Sequence, residues 1–417
     1  MEIAQSKVLG LSRNVFFLGI VSFLTDISSE MIFAVMPLFL FNVLRVGTPV
    51  IGLIEGIAEG TASLVKLGSG WLSDRLSRRK NLAVLGYGLS ALIKPVLYFA
   101  TAWSTVLGIR FADRVGKGIR SAPRDALIAD STTPGEMGRS FGFHRGMDTL
   151  GAVIGLSLAA AIIYSIQKGG LELSRESFQT LVLAGIGPAL LAVVVLFFFV
   201  RERRRRSAPA PEPQSPATVG AVGRSGKGFD LRFKIFLGVI VLFTLGNSSD
   251  AFLVLRAQDL GLSVVEVLLL FVFFNAVYAF ASLPAGLASD RLGRRGLLVT
   301  GWCVYALAYL GFALASSPWH VWLLFGVYGL YSGMVEGVSR AFVADLVPVE
   351  RRGTAYGLFN AAVGLSLLPA SIIAGWLWFL FSPQAPFLLG AALAAAAALV
   401  FALLVKDRGK RGELDGF

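Results

Sequence analysis

Residues 70–80 read GWLSDRLSRRK and residues 286–296 read GLASDRLGRRG, so one short pattern occurs twice, 216 positions apart. A second pair follows: ALIADSTTPGEMGRSFGF, at residues 126–143, matches AFVADLVPVERRGTAYGL, at residues 341–358, 215 positions apart. Internal similarity at a fixed spacing is typical of a duplicated structural unit. The sequence therefore predicts a chain built from two copies of one fold.

Long apolar runs fill the sequence between these loops. Hydrophobic residues make up 55% of the 417 residues and charged residues only 15%, whereas soluble proteins carry about 25% charged residues. Twelve runs are long enough to cross a bilayer as helices, which satisfy their own backbone hydrogen bonds in lipid. We predict an all-α membrane protein with twelve transmembrane helices in two pseudo-symmetric six-helix bundles. These spans 1 to 12 are predicted near residues 15–43, 50–72, 81–101, 104–123, 140–166, 178–200, 233–256, 264–287, 297–316, 320–343, 354–381 and 386–405.

The segment between spans 6 and 7 has a different composition. It reads RERRRRSAPAPEPQSPATVGAVGRSGKG, and Pro, Ala, Ser, Gly and Arg dominate it. Such a segment cannot build a core and is typical of flexible linkers. The predicted organisation is an N-terminal bundle at 1–200, a cytoplasmic linker at 201–231 and a C-terminal bundle at 232–417.

The placement of lysine and arginine predicts the orientation. If both termini are cytoplasmic, most of the 38 basic residues fall on the cytoplasmic side. The loops on the other side then hold only Arg45, Lys168, Arg175 and Arg256. This bias is the positive-inside pattern of a bacterial cytoplasmic (inner) membrane protein. It also explains the net charge of +12 without a nucleic-acid partner.

Enzyme chemistry has little support in the sequence. The chain has one cysteine and two histidines, with no spacing typical of a metal site. It lacks the glycine-rich motif of nucleotide-driven pumps, and no nucleophile and base stand out together. We therefore expect a protein that is not an enzyme and has no cofactor and no bound metal.

Charged residues inside the predicted spans are the main functional signal, because each is expensive in the membrane and persists where it pairs or faces water. The N-terminal half carries six acids and six bases in its spans: Asp26, Glu30, Glu55, Glu59, Asp113 and Asp148, and Lys66, Lys94, Arg110, Arg114, Lys117 and Arg145. Helical spacing places four on one stripe of span 4: Arg110, Asp113, Arg114 and Lys117. It also pairs neighbours one turn apart on spans 1, 2 and 5: Asp26 with Glu30, Glu55 with Glu59, and His144 with Asp148.

The repeat provides an internal comparison for these charges. At an offset of 215, the span 4 stripe matches Phe325, Tyr328, Gly329 and Ser332, so the shared fold does not require charge there. Two explanations remain: a charged, water-filled path, or ion pairs that fix helix packing. Buried ion pairs contribute little net stability, which weighs against the second.

The C-terminal half is mainly apolar and aromatic. Its candidates for the polar wall are Asp250, Asn275 and Glu336, with Glu336 expected to pair with Arg340 one turn away. Glycines at Gly52, Gly56 and Gly60 repeat every fourth residue on span 2 and predict a close helix contact.

The loop GWLSDRLSRRK resembles the signature loop of the major facilitator superfamily, and its copy after span 8 is also similar. The resemblance covers essentially the whole chain. It implies that spans 1, 4, 7 and 10 line a central cavity, that the protein is a monomer, and that the two loops form a cytoplasmic latch. The residues to which the latch role is carried are Asp74, Arg75, Arg78, Arg79, Asp290, Arg291, Arg294 and Arg295.

Two other motifs of that superfamily match less well. The fourth-span motif expects glycine four residues after an arginine, but Arg110 is followed by Arg114, with glycine only at Gly116. The fifth-span motif of drug and proton antiporters is present as Gly151 and Gly155 but lacks its proline. The transport direction is therefore left open.

These observations favour a secondary transporter that moves a small solute by alternating access. Asp26 and Glu30 of span 1 are expected to face Arg110 and Arg114 of span 4. By exchanging between a proton, an arginine and a charged substrate, they would couple transport to protons. The cationic stripe favours an organic anion or a zwitterion as the substrate. The alternatives are a drug or amphiphile efflux antiporter and, in a different class, a non-transporting membrane receptor or assembly factor.

Overall fold

The structure is a computed structural model. It describes residues 7–8, 10–76, 79–132, 136–168, 170–202, 229–348 and 351–405. Almost all of this part of the chain is helical. The one exception with strand structure is a short antiparallel hairpin, in which Lys7–Val8 pairs with Leu11–Ser12. Ser12 then caps span 1, because its side chain accepts a hydrogen bond from the backbone of Val15.

The helices of the N-terminal half follow the predicted order. Span 1 comprises two helices, Arg13–Phe33 and Met36–Leu38, and a π-helical turn, Phe39–Val43. Spans 2 to 6 are Thr48–Leu76, Arg79–Ile93 with a 3-10 segment at Lys94–Phe99, Trp103–Asp130, Met137–Gln167 and Arg175–Phe199.

The C-terminal half repeats this arrangement. Span 7 is broken into Leu231–Gly246 and Ala251–Asp259, and spans 8 to 12 are Val264–Leu292, Arg294–Leu314, Pro318–Leu346, Arg352–Leu380 and Ala385–Leu404. The prediction of twelve helices in two six-helix bundles is confirmed. Several helices, span 4 above all, run further toward the linker than the apolar pattern indicated, because helical hydrogen bonding continues into water beyond the lipid.

In the described part of the chain, ten of these spans are long and apolar enough to cross a membrane on composition alone. The other two long helices are spans 2 and 4, which carry the rows of charged residues. Their ionic side chains are largely sheltered from lipid: Arg110 and Asp113, for example, are both buried. Mean hydropathy therefore underestimates how well these two helices suit a membrane, because it does not distinguish a charge that faces protein from one that faces lipid.

The two ends of the bundle differ, and we name them by position. The linker side is the end where residues 201–202 and 229–230 lie, and the far side is the opposite end. On the linker side, Asn14 donates hydrogen bonds to the carbonyl oxygen of Arg201 at 2.7 Å and to the hydroxyl of Ser131 at 3.0 Å. Spans 1, 4 and 6 therefore end together there.

The halves meet mainly along two helix pairs, spans 2 with 11 and spans 5 with 8. A Cβ atom placed on Gly52 would lie 2.2 Å from the carbonyl oxygen of Ser371, and one on Gly56 would lie 2.8 Å from that of Leu368. The predicted close contact at the span 2 glycines is thus confirmed. Its partner is span 11, which contributes its own glycine, Gly375, against the backbone of Thr48.

Apolar side chains close the far side. The short helix Met36–Leu38 packs against Ala251–Asp259, and both are buried along most of their length. Three hydrogen bonds join the halves in this region: Gln258 Nε2 donates to the carbonyl oxygen of Leu171 at 2.7 Å, Thr48 to that of Gly375 at 3.0 Å, and the backbone N–H of Val264 to that of Gly170 at 3.4 Å. The molecule is therefore shut toward the far side.

Candidate substrate and proton site

Spans 1 and 7 are both interrupted near the middle of the bundle. The first helix of span 1 ends at Phe33 and the next begins at Met36, just before Pro37. In span 7 the helix stops at Gly246 and resumes at Ala251. Non-helical backbone within a membrane protein is found where it borders a cavity or is covered by protein. The two interruptions therefore predict a cavity beside them.

A cavity of about 380 Å³ lies at these interruptions and is lined from both halves. Its charged residues are Glu30, Glu55, Glu59, Arg110, Arg114 and Asp250. The broken segment of span 7 contributes residues 247–251, and Tyr328 of span 10 completes the polar wall. We call this the inner cavity.

A second cavity of about 440 Å³ adjoins the first and extends toward the linker side. The two share Glu59, Asn247, Tyr328 and Leu367 in their walls, so they are separated by these residues at most. We call this second part the outer cavity. Its charged residues are Glu59, Lys66, Lys117, Glu336 and Arg340, and Lys117, Glu336 and Arg340 are exposed. The combined space is therefore sealed on the far side and accessible from the linker side.

An ion pair between Arg110 and Glu55 lies at the inner cavity, with 2.6 Å between Nη2 and Oε2. Arg110 also stacks on the ring of Phe33, whose centroid is 4.6 Å from the guanidinium carbon. The pair does not satisfy both groups, because Glu55 Oε1 and Arg110 Nε and Nη1 have no hydrogen-bond partner within the described residues. Unsatisfied polar atoms beside a cavity are available to a bound molecule or water.

One turn toward the linker side, Arg114 pairs with Glu59 at 2.9 Å. The sequence had suggested that Asp26 and Glu30 of span 1 face the span 4 arginines. In the structure, both arginines instead form ion pairs with glutamates of span 2. Glu30 remains on the cavity wall, and the described residues offer it no ion pair within 4 Å.

Asp250 faces the same cavity from the C-terminal half. Tyr328 donates a hydrogen bond of 2.9 Å to its Oδ1 atom, and no cation lies within 4 Å of it in the described structure. Tyr305 supports the broken segment by donating to the carbonyl oxygen of Gly246 and to the side chain of Asn247. Sequence patterns did not single out Tyr305 or Tyr328, because tyrosines in an aromatic-rich span are ordinary packing residues.

Lys94 is buried behind span 1, with 1% of its surface exposed. Its ammonium donates to the hydroxyls of Ser28 at 3.0 Å and Ser29 at 2.9 Å. Hydroxyls rather than a carboxylate thus provide its direct contacts. Asp113 is also buried and turns away from both cavities, so it differs from its neighbours on the span 4 stripe.

His144 and Asp148 form part of a separate polar cluster between spans 1, 4 and 5. His144 shares a 2.7 Å hydrogen bond with Ser22 through Nε2, and its Nδ1 atom lies 3.6 Å from Asp148. Arg124 reaches the same hydroxyl at 3.4 Å. Asp26 is on the same span as Ser22, is partly buried and has no ion pair within 4 Å among the described residues. These side chains line neither of the two cavities.

Arg145 joins the two halves at the edge of the outer cavity. It donates to the hydroxyl of Tyr278 at 3.0 Å, and Tyr278 donates to Glu336 at 2.8 Å. Arg340 lies 3.7 Å from Glu336, so the pair expected from their spacing is present. The contact with Arg145 could not be read from the sequence. Asn275 lies outside both cavities and donates to the carbonyl oxygen of Phe271 in its own helix.

Known proteins share the sequence pattern and the fold of this chain. The sequence model of the Major Facilitator Superfamily matches twice, over residues 18–254 and 235–416. The chain belongs to the Major Facilitator Superfamily. It is therefore an integral membrane protein of a transporter family, whose members carry small molecules and are not enzymes.

Two relatives match this chain over most of its length. An MFS-type transporter of Methanocaldococcus jannaschii is 36% identical over 397 residues, covering 94% of each chain. An uncharacterised protein of Mycobacterium tuberculosis is 27% identical over 381 residues, covering 90% of this chain and 89% of its own.

Solved structures of the superfamily show the same fold. The nucleoside transporter NupG superimposes with a TM-score of 0.76 at 14% identity, covering 94% of this chain and 100% of its own. A POT family transporter in complex with 5-aminolevulinic acid has a TM-score of 0.78 at 12% identity, with 95% and 97% covered.

The superfamily's two signature loops are only partly described. Asp74, Arg75, Arg78, Asp290 and Arg291 lie outside the part whose side chains the structure describes. The other predicted latch residues, Arg79, Arg294 and Arg295, are described. Their role in gating stays a prediction.

The described latch arginines make contacts within their own halves. Arg79 forms an ion pair with Asp130, and Arg294 forms one with Asp345 at 2.8 Å. Arg79 and Asp130 correspond to Arg294 and Asp345 at an offset of 215 residues. This is one residue less than the offset between the two signature loops. Arg295 donates to the carbonyl oxygen of Ala402. Each pair fastens the start of one helix to the end of the next.

The fifth-span glycines of the superfamily's antiporter motif have a packing role here. A Cβ atom on Gly151 would lie 2.5 Å from the carbonyl oxygen of Phe23, and one on Gly155 would lie 2.7 Å from that of Ile27. They allow spans 1 and 5 to approach within the N-terminal bundle. The partial motif is therefore explained by helix contact.

Proposed function

We propose that the protein is a proton-coupled secondary transporter that moves a small organic anion or zwitterion by alternating access. It would act as a monomer in a cytoplasmic (inner) membrane, with the linker side facing the cytoplasm. The concentration of lysine and arginine on the linker side supports this orientation. The 1–200, 201–231 and 232–417 divisions would be the two moving bundles and their connection.

The observation that carries the proposal is the meeting of Glu30 and Asp250 at one cavity. They end two similar stretches of the two halves, DISSE at residues 26–30 and GNSSD at residues 246–250. Both line the inner cavity, and the described residues place no cation within 4 Å of either. Carboxylates without a cationic partner beside a water-accessible space are suited to bind and release protons.

The arginines beside these carboxylates support coupling to a charged solute. Arg110 and Arg114 are engaged by Glu55 and Glu59 in this conformation. An anionic group entering the inner cavity would compete with those carboxylates for the guanidinium groups. A glutamate that has lost its arginine partner would then take up a proton more readily. Proton and substrate binding would thereby depend on each other.

The shape of the space supports alternating access. Apolar packing closes the far side, while exposed side chains line the route to the linker side. This is the arrangement expected of one end state of a rocking transporter.

The test begins with ligand discovery. Purified full-length protein would be screened by thermal shift against metabolites and drugs at one acidic and one neutral pH. Hits would be added to proteoliposomes that contain a trapped pH dye. We expect substrate-driven proton movement in the wild type and in Glu176→Gln, an exposed acid outside both cavities. Glu30→Gln and Asp250→Asn should bind the hit without moving protons, and wild-type proton movement in both variants would refute the assignment.

A second candidate, an amphiphile and proton efflux antiporter, is favoured by the aromatic wall of the outer cavity, which includes Phe243, Trp302 and Tyr331. Expression in a strain that lacks its own efflux pumps would separate the two. Lower susceptibility to amphiphilic drugs would favour export.

A further inference from the structure

The outer cavity has two chemically different walls, one from each half. The N-terminal half contributes Lys66 and Lys117, and the C-terminal half contributes aromatic rings. We infer that the outer cavity binds an amphipathic organic anion whose acidic group contacts Lys66 and Lys117 and whose flat apolar body packs on Phe243 and Tyr331, with Trp302 buried behind them. This inference rests on the proposed transport function and specifies its substrate class.

The two lysines are the unpaired charges of this wall. No carboxylate lies within 4 Å of either ammonium group among the described residues. The acids that share the cavity are already engaged: Glu59 pairs with Arg114, and Glu336 accepts from Tyr278 and contacts Arg145. The charge available to a ligand is therefore positive.

Helix packing holds the lysines on neighbouring spans. A Cβ atom on Gly118 would lie 2.6 Å from Cβ of Val65, so spans 2 and 4 touch beside both lysines. Ser69 strengthens this contact by donating to the carbonyl oxygen of Gly118 at 2.7 Å. Flexible side chains rising from adjacent rigid helices can converge on one carboxylate or phosphate.

The opposite wall is an ordered aromatic surface. The rings of Phe243 and Trp302 stack with centroids 5.5 Å apart, and Tyr331 lies 6.0 Å from Phe243. Such a wall binds flat apolar groups through burial and ring stacking. The volume of about 440 Å³ accommodates a molecule with one or two rings.

Three probes test the two walls separately: naphthoate, with a ring and a negative charge; naphthylmethylammonium, with the same ring and a positive charge; and acetate, with the charge alone. Their binding to purified full-length protein would be measured by titration calorimetry. We expect saturable binding of naphthoate, and affinities at least about tenfold weaker for the other two.

Substitutions then locate the charge. Lys66→Met and Lys117→Met should each weaken naphthoate binding about tenfold, while Lys66→Arg and Lys117→Arg should retain most of it. Lys234→Met, which removes an exposed lysine outside both cavities, should leave binding unchanged. A thermal unfolding temperature of the Met variants close to that of the wild type would show that any loss of binding is not a folding defect.

The outcomes separate this inference from the proposed function. Equal binding of both charged naphthyl probes, or undiminished naphthoate binding in a folded Lys66→Met, Lys117→Met double variant, would overturn it. A proton-coupled substrate that lacks a negative charge and binds independently of the lysines would also overturn it, while leaving the proposed function intact. Lysine-dependent naphthoate binding without proton movement would support the inference and count against proton coupling.

Discussion

Arg110 and Glu55 form an ion pair in the interior of the N-terminal bundle, with 3% and 6% of their side chains exposed. Neither residue has a charged counterpart at the matching place on the other half, where Arg110 corresponds to Phe325. The fold that both halves share therefore does not require this pair.

Breaking this pair should be more damaging than removing it entirely. Arg110→Met would leave Glu55 buried without its cation, and we expect a loss of about 3–5 kcal/mol in unfolding free energy. The double variant Arg110→Met, Glu55→Met should be close to the wild type, because no charge remains buried. The unfolding free energies of the single and double variants would be measured in detergent micelles by titration with a denaturing surfactant. A single variant as stable as the double would show that Glu55 is solvated.

A side chain at Gly52 should prevent closure of the far side. Its Cβ would meet the carbonyl oxygen of Ser371, whereas Gly68 in the same helix has open space around it. In a Cys303→Ser background carrying Val254→Cys, we expect Gly52→Val to increase labelling by an impermeant maleimide from the far side severalfold. Gly68→Ala should not. Unchanged labelling in Gly52→Val would mean that the helices separate without opening a path.

Removing the hydroxyls around Lys94 should destabilise the protein. Ser28→Ala combined with Ser29→Ala leaves a buried ammonium without its two hydrogen-bond partners, and we expect a loss of about 1–3 kcal/mol. Ser165→Ala is the control, since Ser165 is exposed and its hydroxyl bonds only within its own helix. An equal, small effect of both changes would indicate that water replaces the lost hydroxyls.

The repeated ion pairs on the linker side should contribute little and independently. Asp130→Asn and Asp345→Asn each remove a partner from a partly exposed pair, so each should lower the unfolding free energy by less than about 1 kcal/mol. Because the pairs lie in different halves, the double variant should show the sum of the two effects. A clear excess over that sum would reveal energetic coupling between the bundles.

The fold was predictable from the sequence because its signals are local. Apolar run length predicted the twelve spans, and the glycine spacing at Gly52 predicted a close contact. The identity of the partner helix was not predictable, because nothing in span 2 distinguishes span 11 from its neighbours. Breaks within spans were also missed: residues 246–250 read GNSSD, and a polar stretch inside a span does not by itself predict that the helix is interrupted.

The site was predictable in composition but not in pairing. Charge inside apolar runs pointed to Glu30, Arg110 and Asp250, which line the inner cavity. The pairing of Arg110 with Glu55 instead of span 1 depends on how spans 2 and 4 cross, which helical periodicity does not contain. Tyr328 was missed because its significance comes from Asp250 on another span.

The interruption of span 7 has a mechanical consequence. Residues 247–250 bond to each segment separately: the backbone N–H of Asn247 donates to Thr244, and that of Val254 donates to Asp250. The break between Gly246 and Ala251 is therefore a possible hinge for Ala251–Asp259. The segment Ala251–Asp259, which packs on the far side, could then move while Leu231–Gly246 stays in its bundle. Asp250 lies directly before Ala251–Asp259, so a change in its contact with Tyr328 would act at the joint between the two segments.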